Sequence, residues 1–327
     1  MKTIIISESS DADQRLDKFI KKFFPSAPLG ALYKMIRTGK IKVSKKKKPL
    51  SYRLNIHDEI QFFLTDDEFK TFRGQQKIQK QPQKKRDLDI LYQDDYLLVI
   101  NKPAGVNVHP GDYKSDEISL IQQVHDFLGT KYNTLTFKPS LVHRIDRDTS
   151  GCILVALEKK TLVDLLSQLQ NHSITKIYHA IGYGKLPGMK GKLTNKILRI
   201  ENAKNEAKVQ VSEKGQKAIT HYSVISNFKV DNFDISHIEC RLETGRTHQI
   251  RVQLLFNNCP ILGDKQYGNK KINSYFRRHF DISRQLLHAR KLEFFHPITR
   301  KKIQIEAPYP DDLNRIISFS QSGENTV

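Results

Sequence analysis

The sequence predicts an α+β fold in which a large, mixed, mostly antiparallel sheet domain with helices follows a small α+β module. Three observations carry that expectation. The 327 residues exceed the usual size of a single hydrophobic core. Positive charge is unevenly spread: residues 1–86 hold 21 Lys and Arg against 9 Asp and Glu, and so supply +12 of a formal +20. From residue 88 onward, strand-like segments are interrupted by helices and do not alternate with them, unlike a regular βαβ winding.

In the first part, Leu16, Phe19, Ile20 and Phe23 recur at helical spacing, and a second helix is expected from about Leu29 to Arg37, stopped by Gly39. Lys40 to Val43 alternates as a strand, Lys45, Lys46, Lys47 and Lys48 form a cationic turn before Pro49, and strand character resumes from Tyr52 to Phe63. If the strands pair, Arg37, Lys40, Lys42 and the lysine run converge on one face, although four adjacent lysines are also what a solvated turn contains. Residues 66–86 are rich in Gln and Lys with little apolar periodicity and read as a basic flexible linker. The expected division is thus 1–65, a linker over 66–86, and a large domain over 87–327. There, LDILYQDDYLLVINKPAGVNVHP predicts a hairpin turning at Gln93-Asp94-Asp95. Further strands are expected near 152–157, 174–184, 207–212, 217–228, 233–242 and 302–306, and helices near 118–128, 162–169 and 246–256.

Composition narrows the function. A hydrophobic fraction of 38% with 17 Phe and 12 Tyr is enough for a core and excludes wholesale disorder. A pI near 9.7 points to a polyanionic partner. No apolar run approaches the roughly 18 residues a membrane span needs, and MKTIIISESSDADQRLD turns polar too early for a signal peptide, so a cytoplasmic protein without membrane contact is expected. Cys152, Cys240 and Cys259 are odd in number and lack paired spacing, which favours buried thiols over disulfides or a zinc site, and no metal is expected. Neither a P-loop nor a GxGxxG opens a helix after a strand, which argues against nucleotide-dependent chemistry.

Three segments concentrate reactive side chains. SLVHRIDRDTSGCILVALEKK crowds His143, Arg144, Asp146, Arg147 and Asp148 into a turn between apolar runs. Such a turn can be a solvated, salt-bridged loop, or it can hold a carboxylate ionised beside guanidinium groups, a state suited to a nucleophile. LETGRTHQIRVQLLF sets Gly245, Arg246, Thr247, His248 and Arg251 at a helix start, either as a capping turn or as an anion site. TKIYHAIGYG puts Lys176, Tyr178 and Ala180 on one strand face, with Tyr178 either a core residue or a platform for a base.

Two resemblances join these features. QRLDKFIKKFF, LYKMIRTGKIKVSKKKK and YRLNIHDEI, over residues 13–63, resemble the alpha-L RNA-binding fold shared with ribosomal small-subunit protein four. HRIDRDTSGCILVA resembles the HRLDxxTSGxLLxA motif of the RluA family of pseudouridine synthases. NKPAGVNVHP, KIYHA, TGRTHQIRVQ, ILGDKQYG and LLHARKLEFFHP fit the same family over residues 88–313, and the whole chain is more similar to its RluC-like, large-subunit ribosomal RNA branch than to RluD-like members.

The resemblance implies a cofactor-free RNA isomerase in which Asp146 is the catalytic carboxylate, while Asp148 falls in the motif's variable pair. Tyr178 would lie against the uracil and take the proton from its C5, and Arg251 would pair with the carboxylate. Arg144 would enter the stack vacated by a flipped base, and Arg246 would contact phosphate. Arg37, Lys40, Lys42 and Lys45 to Lys48 would bind RNA. The expected partner is large-subunit ribosomal RNA or its precursor particle, with no DNA, acted on by a monomer. Gln253 stands where relatives often have His, and Tyr309 lies between Pro308 and Pro310 where Leu is usual. A non-catalytic RNA-binding or ribosome-assembly factor would need only the basic module, and a nucleoside or glycoside hydrolase would normally need a second carboxylate.

Overall fold

A computed structural model describes residues 1–74, 87–110, 117–200 and 208–321. These form two compact units, the first comprising residues 1–87, 124–140 and 157–160, and the second residues 88–123, 141–156 and 161–327.

In the first unit, strand β1 (Lys2–Ile5) precedes helices α1 (Leu16–Phe23) and α2 (Leu29–Thr38), then β2 (Ile41–Val43), β3 (Glu59–Phe62) and helix α3 (Asp66–Arg73). β3 lies between β1 and β2 in an antiparallel sheet. The helical spacing of Leu16, Phe19, Ile20 and Phe23 buries all four against Leu32, Ile36, Ile41 and Phe62. Gly39 ends α2 at φ 79°, the left-handed conformation that a side chain disfavours.

Two expectations fail here for local reasons. Strand structure begins at Glu59 and not at Tyr52, because Asp58 gathers the preceding residues into a turn: its carboxylate accepts from Asn55 N–H (2.9 Å) and Tyr52 Oη (3.1 Å). The stretch read as a linker starts instead with α3. Thr65 and Glu68 form a reciprocal capping box, and Phe69 and Phe72 pack on the core of the unit. Its apolar pair is too sparse for a periodicity signal. The rest of the expected linker, 75–86, lies outside the described residues.

The second unit contains β4 (Ile90–Gln93), β5 (Leu97–Lys102), α4 (Leu120–Leu128), β6 (Ser140–Leu141), β7 (Ser150–Ala156), α5 (Lys159–Gln170), β8 (Thr175–Tyr183), β9 (Lys190–Ile200), β10 (Lys208–Val211), β11 (Gln216–Val230), β12 (Phe233–Leu242), α6 (Gln249–Phe256), α7 (Lys270–Phe280), β13 (Leu287–Phe295), β14 (Lys302–Glu306) and α8 (Asp311–Gln321), with α4 to β6 and the start of α5 reaching into the first unit's share of the chain. Its sheet runs β10-β9-β11-β12-β8-β13-β7-β5-β4, with β14 beside β13. Among the described pairings only β7 with β13 is parallel, so the sheet is mixed and mostly antiparallel, as expected. The β4–β5 hairpin turns at Asp94, whose Oδ1 accepts the amides of Tyr96 and Leu97.

β7 is buried along its whole length, as its unbroken apolar run requires. Gly151 sits in it at φ 111°, and a Cβ there would collide with the Ala289 carbonyl of β13. The glycine of the TSG motif thus lets the parallel pair close immediately after the Asp146 turn. Cys152, Cys240 and Cys259 are buried and unpaired. No described helix is long and apolar enough to cross a membrane.

Candidate active site

Asp146 lies in the loop between β6 and β7, and backbone carbonyls hold that loop from below. Lys102, fully buried at the end of β5, donates from Nζ to the carbonyls of Pro103 (2.8 Å), Val106 (2.9 Å) and Arg147 (2.8 Å). Burial pushes its ammonium pKa down to about 7, against the pull of Asp148 and Asp146. Gly105 N–H donates to the Arg147 carbonyl (2.9 Å), and Arg284 donates from NH1 to the Asp148 carbonyl (3.0 Å) while its other nitrogens grip Asp312. The NKP segment therefore serves the site from beneath, by fixing the backbone on which Asp146 stands.

The carboxylate meets α6. Arg251 donates from NH1 to Asp146 Oδ2 at 3.0 Å. The rest of its guanidinium engages Asp264 as a two-pronged pair, Nε to Oδ2 at 2.7 Å and NH2 to Oδ1 at 3.0 Å. Burial works against the charge of Arg251, but Asp264 and Asp146 outweigh it and raise its pKa. The two carboxylates differ in access: the Asp264 side chain is 0% exposed, that of Asp146 22%. Asp264 Oδ1 also accepts the amides of Gln266 and Tyr267. One aspartate therefore anchors the arginine, and the other is open to a ligand.

Around Asp146 is a cleft of about 410 Å³, within the range of small-ligand sites, lined by Arg144, Tyr178, Lys176, Arg246, His248 and Arg251 among others. Tyr178, on β8 opposite Cys240 of β12, is buried in its wall. Burial first, then the charge of Asp146, raises the pKa of its hydroxyl, so the phenol stays protonated. Burial lowers the ammonium pKa of Lys176. His143 accepts the Leu154 amide on Nε2 (3.2 Å), and burial, with Lys176, pushes its pKa down to about 3. Arg144 is exposed and makes no ion pair among the described residues. Arg246, also exposed, donates from Nε to the Lys217 carbonyl at 3.2 Å.

The TGRTHQ turn is held from its own glutamine. Gln249 Oε1 accepts from Thr244 Oγ1 (2.9 Å) and Arg246 N–H (3.0 Å), while its Nε2 donates to the Ile219 carbonyl and Thr220 Oγ1. Helix α6 begins at Gln249 and not at Arg246, because His248 takes a left-handed conformation that breaks the helix at its N-cap. Gln253, the departure from the family's pattern, is fully buried and satisfied by Thr220, Leu193, Asn195 and Ala218.

Asp146, Tyr178, Arg251, Arg144 and Arg246 thus share one cleft. Arg37, Lys40, Lys42 and Lys45 to Lys48 belong to the first unit. There Ser44 and Lys45, both at positive φ, turn a tight hairpin between Val43 and Lys46. Lys40 pairs with Glu68 (3.8 Å), Lys42 lies over Phe63 and Lys48 over Tyr52, while Arg37 and Lys45 to Lys47 are exposed. Sequence reasoning assigned no role to Asp264, Tyr267, Lys102 or Arg284. Asp264 and Tyr267 sit in the ILGDKQYG motif and Lys102 in NKPAG, so position within a motif was the signal available. Among the described residues, no three His, Cys, Asp or Glu side chains gather as metal ligands.

An accessible carboxylate, clamped by a buried arginine in a cationic cleft beside a buried tyrosine, is equipment for acid–base or nucleophilic chemistry at a glycosidic carbon. Residues 96–256 match the RNA pseudouridylate synthase family. The chain is 34% identical over 313 residues to the ribosomal large subunit pseudouridine synthase C of Buchnera aphidicola subsp. Baizongia pistaciae, covering 93% of this chain and 92% of that one. It is 31% identical over 316 residues to YlyB of Bacillus subtilis, an uncharacterized RNA pseudouridine synthase, covering 96% of each. The solved structure of human RNA pseudouridylate synthase domain containing 4 shares the fold, with a TM-score of 0.56 at 23% identity, over 71% of this chain and 92% of that one. The chain belongs to the RNA pseudouridylate synthase family, within its RluA group, and is an isomerase that converts uridine to pseudouridine in RNA.

Proposed function

We propose that the RNA it modifies is large-subunit ribosomal RNA or its precursor particle, and that Asp146, Tyr178 and Arg251 carry the reaction. The observation behind the second part is the Asp146–Arg251–Asp264 arrangement, which of the two carboxylates on Arg251 leaves that of Asp146 accessible in a cleft walled by Tyr178. Support for the first part comes from relatives named for the large ribosomal subunit that match almost the whole chain.

The reaction breaks the bond between the uracil nitrogen and the ribose, turns the base, and rejoins it through carbon. An adjacent carboxylate can trap or stabilise positive charge developing at the anomeric carbon. Asp264 does not supply the second carboxylate of a glycoside hydrolase, because both of its oxygens are engaged and it is inaccessible. A uridine inside folded RNA must first leave its stack, at a cost of a few kcal/mol. Arg144, exposed at the cleft without an ion-pair partner among the described residues, would fill the space left behind.

Tyr178, neutral and buried, would stack on the base and offer its hydroxyl near C5. Tyr178→Phe keeps the ring and loses only that hydroxyl. The expected result is unchanged folding and RNA affinity with product formation slowed by about tenfold or more, the scale of a lost proton-transfer group. Rates within about twofold of the parent would restrict Tyr178 to stacking.

Residues 1–65 would supply phosphate contacts independent of sequence, through Arg37, Lys40, Lys42 and the lysine hairpin. Replacing Lys45 to Lys48 with Gln in the full chain should weaken RNA binding and flatten its salt dependence by roughly one unit of slope per lost contact. Superimposable slopes for the two proteins would make that hairpin a solvated turn. The ribosomal target is tested by mapping pseudouridines in ribosomal RNA from cells lacking the protein. Specific large-subunit sites should revert to uridine, and an unchanged large-subunit map would refute that target.

A further inference from the structure

His248 stands between Tyr267 and the carboxylate of Asp146, outside the roles set out above. It is the N-cap of α6 at φ 51°, ψ 24°, a left-handed conformation uncommon for residues other than Gly. That backbone brings the imidazole between two partners: Nδ1 lies 3.0 Å from Tyr267 Oη, and Nε2 lies 3.9 Å from Asp146 Oδ2.

Tyr267 decides the tautomer. Its oxygen already accepts the Val209 amide (2.9 Å), and its own proton has His248 Nδ1 as acceptor. The tautomer that serves both contacts leaves Nδ1 unprotonated to accept that proton and turns an Nε2–H toward the carboxylate. The opposite tautomer would aim an Nε2 lone pair at a carboxylate oxygen and deprive the phenol proton of that acceptor. Burial lowers the pKa of His248 against the pull of Asp146, so the imidazole is neutral and the tautomer matters. Tyr267 is itself fixed, its amide donating to Asp264 Oδ1 (3.0 Å) and its ring lying 5.0 Å from the Arg251 guanidinium. Arg251 and His248 thus address the same Asp146 oxygen, Oδ2, while Oδ1 has no hydrogen-bond partner among the described residues.

We propose that His248 is a positioning residue: its Nε2–H, set by Tyr267, closes on Asp146 Oδ2 when the nucleotide binds, and with Arg251 keeps Oδ1 as the oxygen turned to the substrate. This rests on the reading of Asp146 as the catalytic carboxylate. A left-handed site tolerates Asn, whose short amide can meet Tyr267 but cannot reach Asp146, whereas Gln extends an N–H about as far as Nε2 does.

Single-turnover rates and RNA affinities of His248→Asn, His248→Gln and Asp146→Asn test the inference. His248→Asn should slow the reaction about 10- to 100-fold, the effect of losing one hydrogen bond to a charged group, with RNA affinity within about threefold of the parent. His248→Gln should recover most of that rate. A His248→Asn rate within about twofold of the parent, a loss of affinity matching the loss of rate, or a Gln variant as slow as Asn would overturn it. Should Gln fail to fold, the Asn variant decides by the same two criteria. An active Asp146→Asn enzyme would overturn the underlying reading as well. An inactive one beside a fully active His248→Asn would overturn this inference alone.

Discussion

Asp146→Asn is expected to abolish product formation, to below about one per cent of the parent, while RNA affinity falls less than about tenfold. The amide has nearly the same shape, so the loop held by Lys102, Gly105 and Arg284 should persist, since those groups grip backbone carbonyls and not the carboxylate. What is lost is the carboxylate charge that Arg251 clamps in the cleft. Asp148→Asn is the control: it lies two residues on, its carbonyl rather than its carboxylate holds Arg284, and its loss should be much milder. Equal losses for the two variants, measured as pseudouridine formed per enzyme, would move the catalytic role off Asp146.

Arg251→Leu is expected to damage both stability and activity. Asp264 is fully buried and its carboxylate is held by Arg251, so removing the guanidinium leaves a buried charge without its partner. Breaking such a pair costs about 3–5 kcal/mol, readable as a shifted denaturant midpoint. Adding Asp264→Leu removes the stranded charge and should recover part of the stability, although the Gln266 and Tyr267 amides then lose their acceptor. Activity should stay low in both variants, because Asp146 has lost its arginine. A single variant as stable as the parent would mean that Asp264 does not depend on Arg251. Restored activity in the double variant would mean that Asp146 does not.

Much of this was legible in the sequence because the decisive residues lie in compact motifs. Asp146, Tyr178 and Arg251 are separated by up to 105 residues and still converge, as the resemblance implied. The supporting residues were less legible, since a motif marks a position without saying what it touches. Asp264 carries no local signal that it will grip Arg251, and Lys102 resembles any strand-end lysine until three carbonyls close around it. Helix α7 was missed although Asn269 caps it, because KKINSYFRRHF is polar along most of its length and buries only Ile272 and Phe276. Strand β13 lies within the LLHARKLEFFHP motif and β9 has alternate residues that are mostly Lys and Thr, so both carry a weak apolar alternation. Tertiary pairing, not propensity, makes both of them strands.

The most direct test of the central claim is tritium release from RNA labelled at uridine C5, run with the parent and Asp146→Asn, with the nucleosides of the digested RNA then identified. Isomerisation through Asp146 predicts that the parent releases tritium in step with the appearance of a carbon-linked nucleoside, and that the variant does neither. Free uracil without pseudouridine, RNA binding without release, or release by the variant at the parent's rate would contradict it.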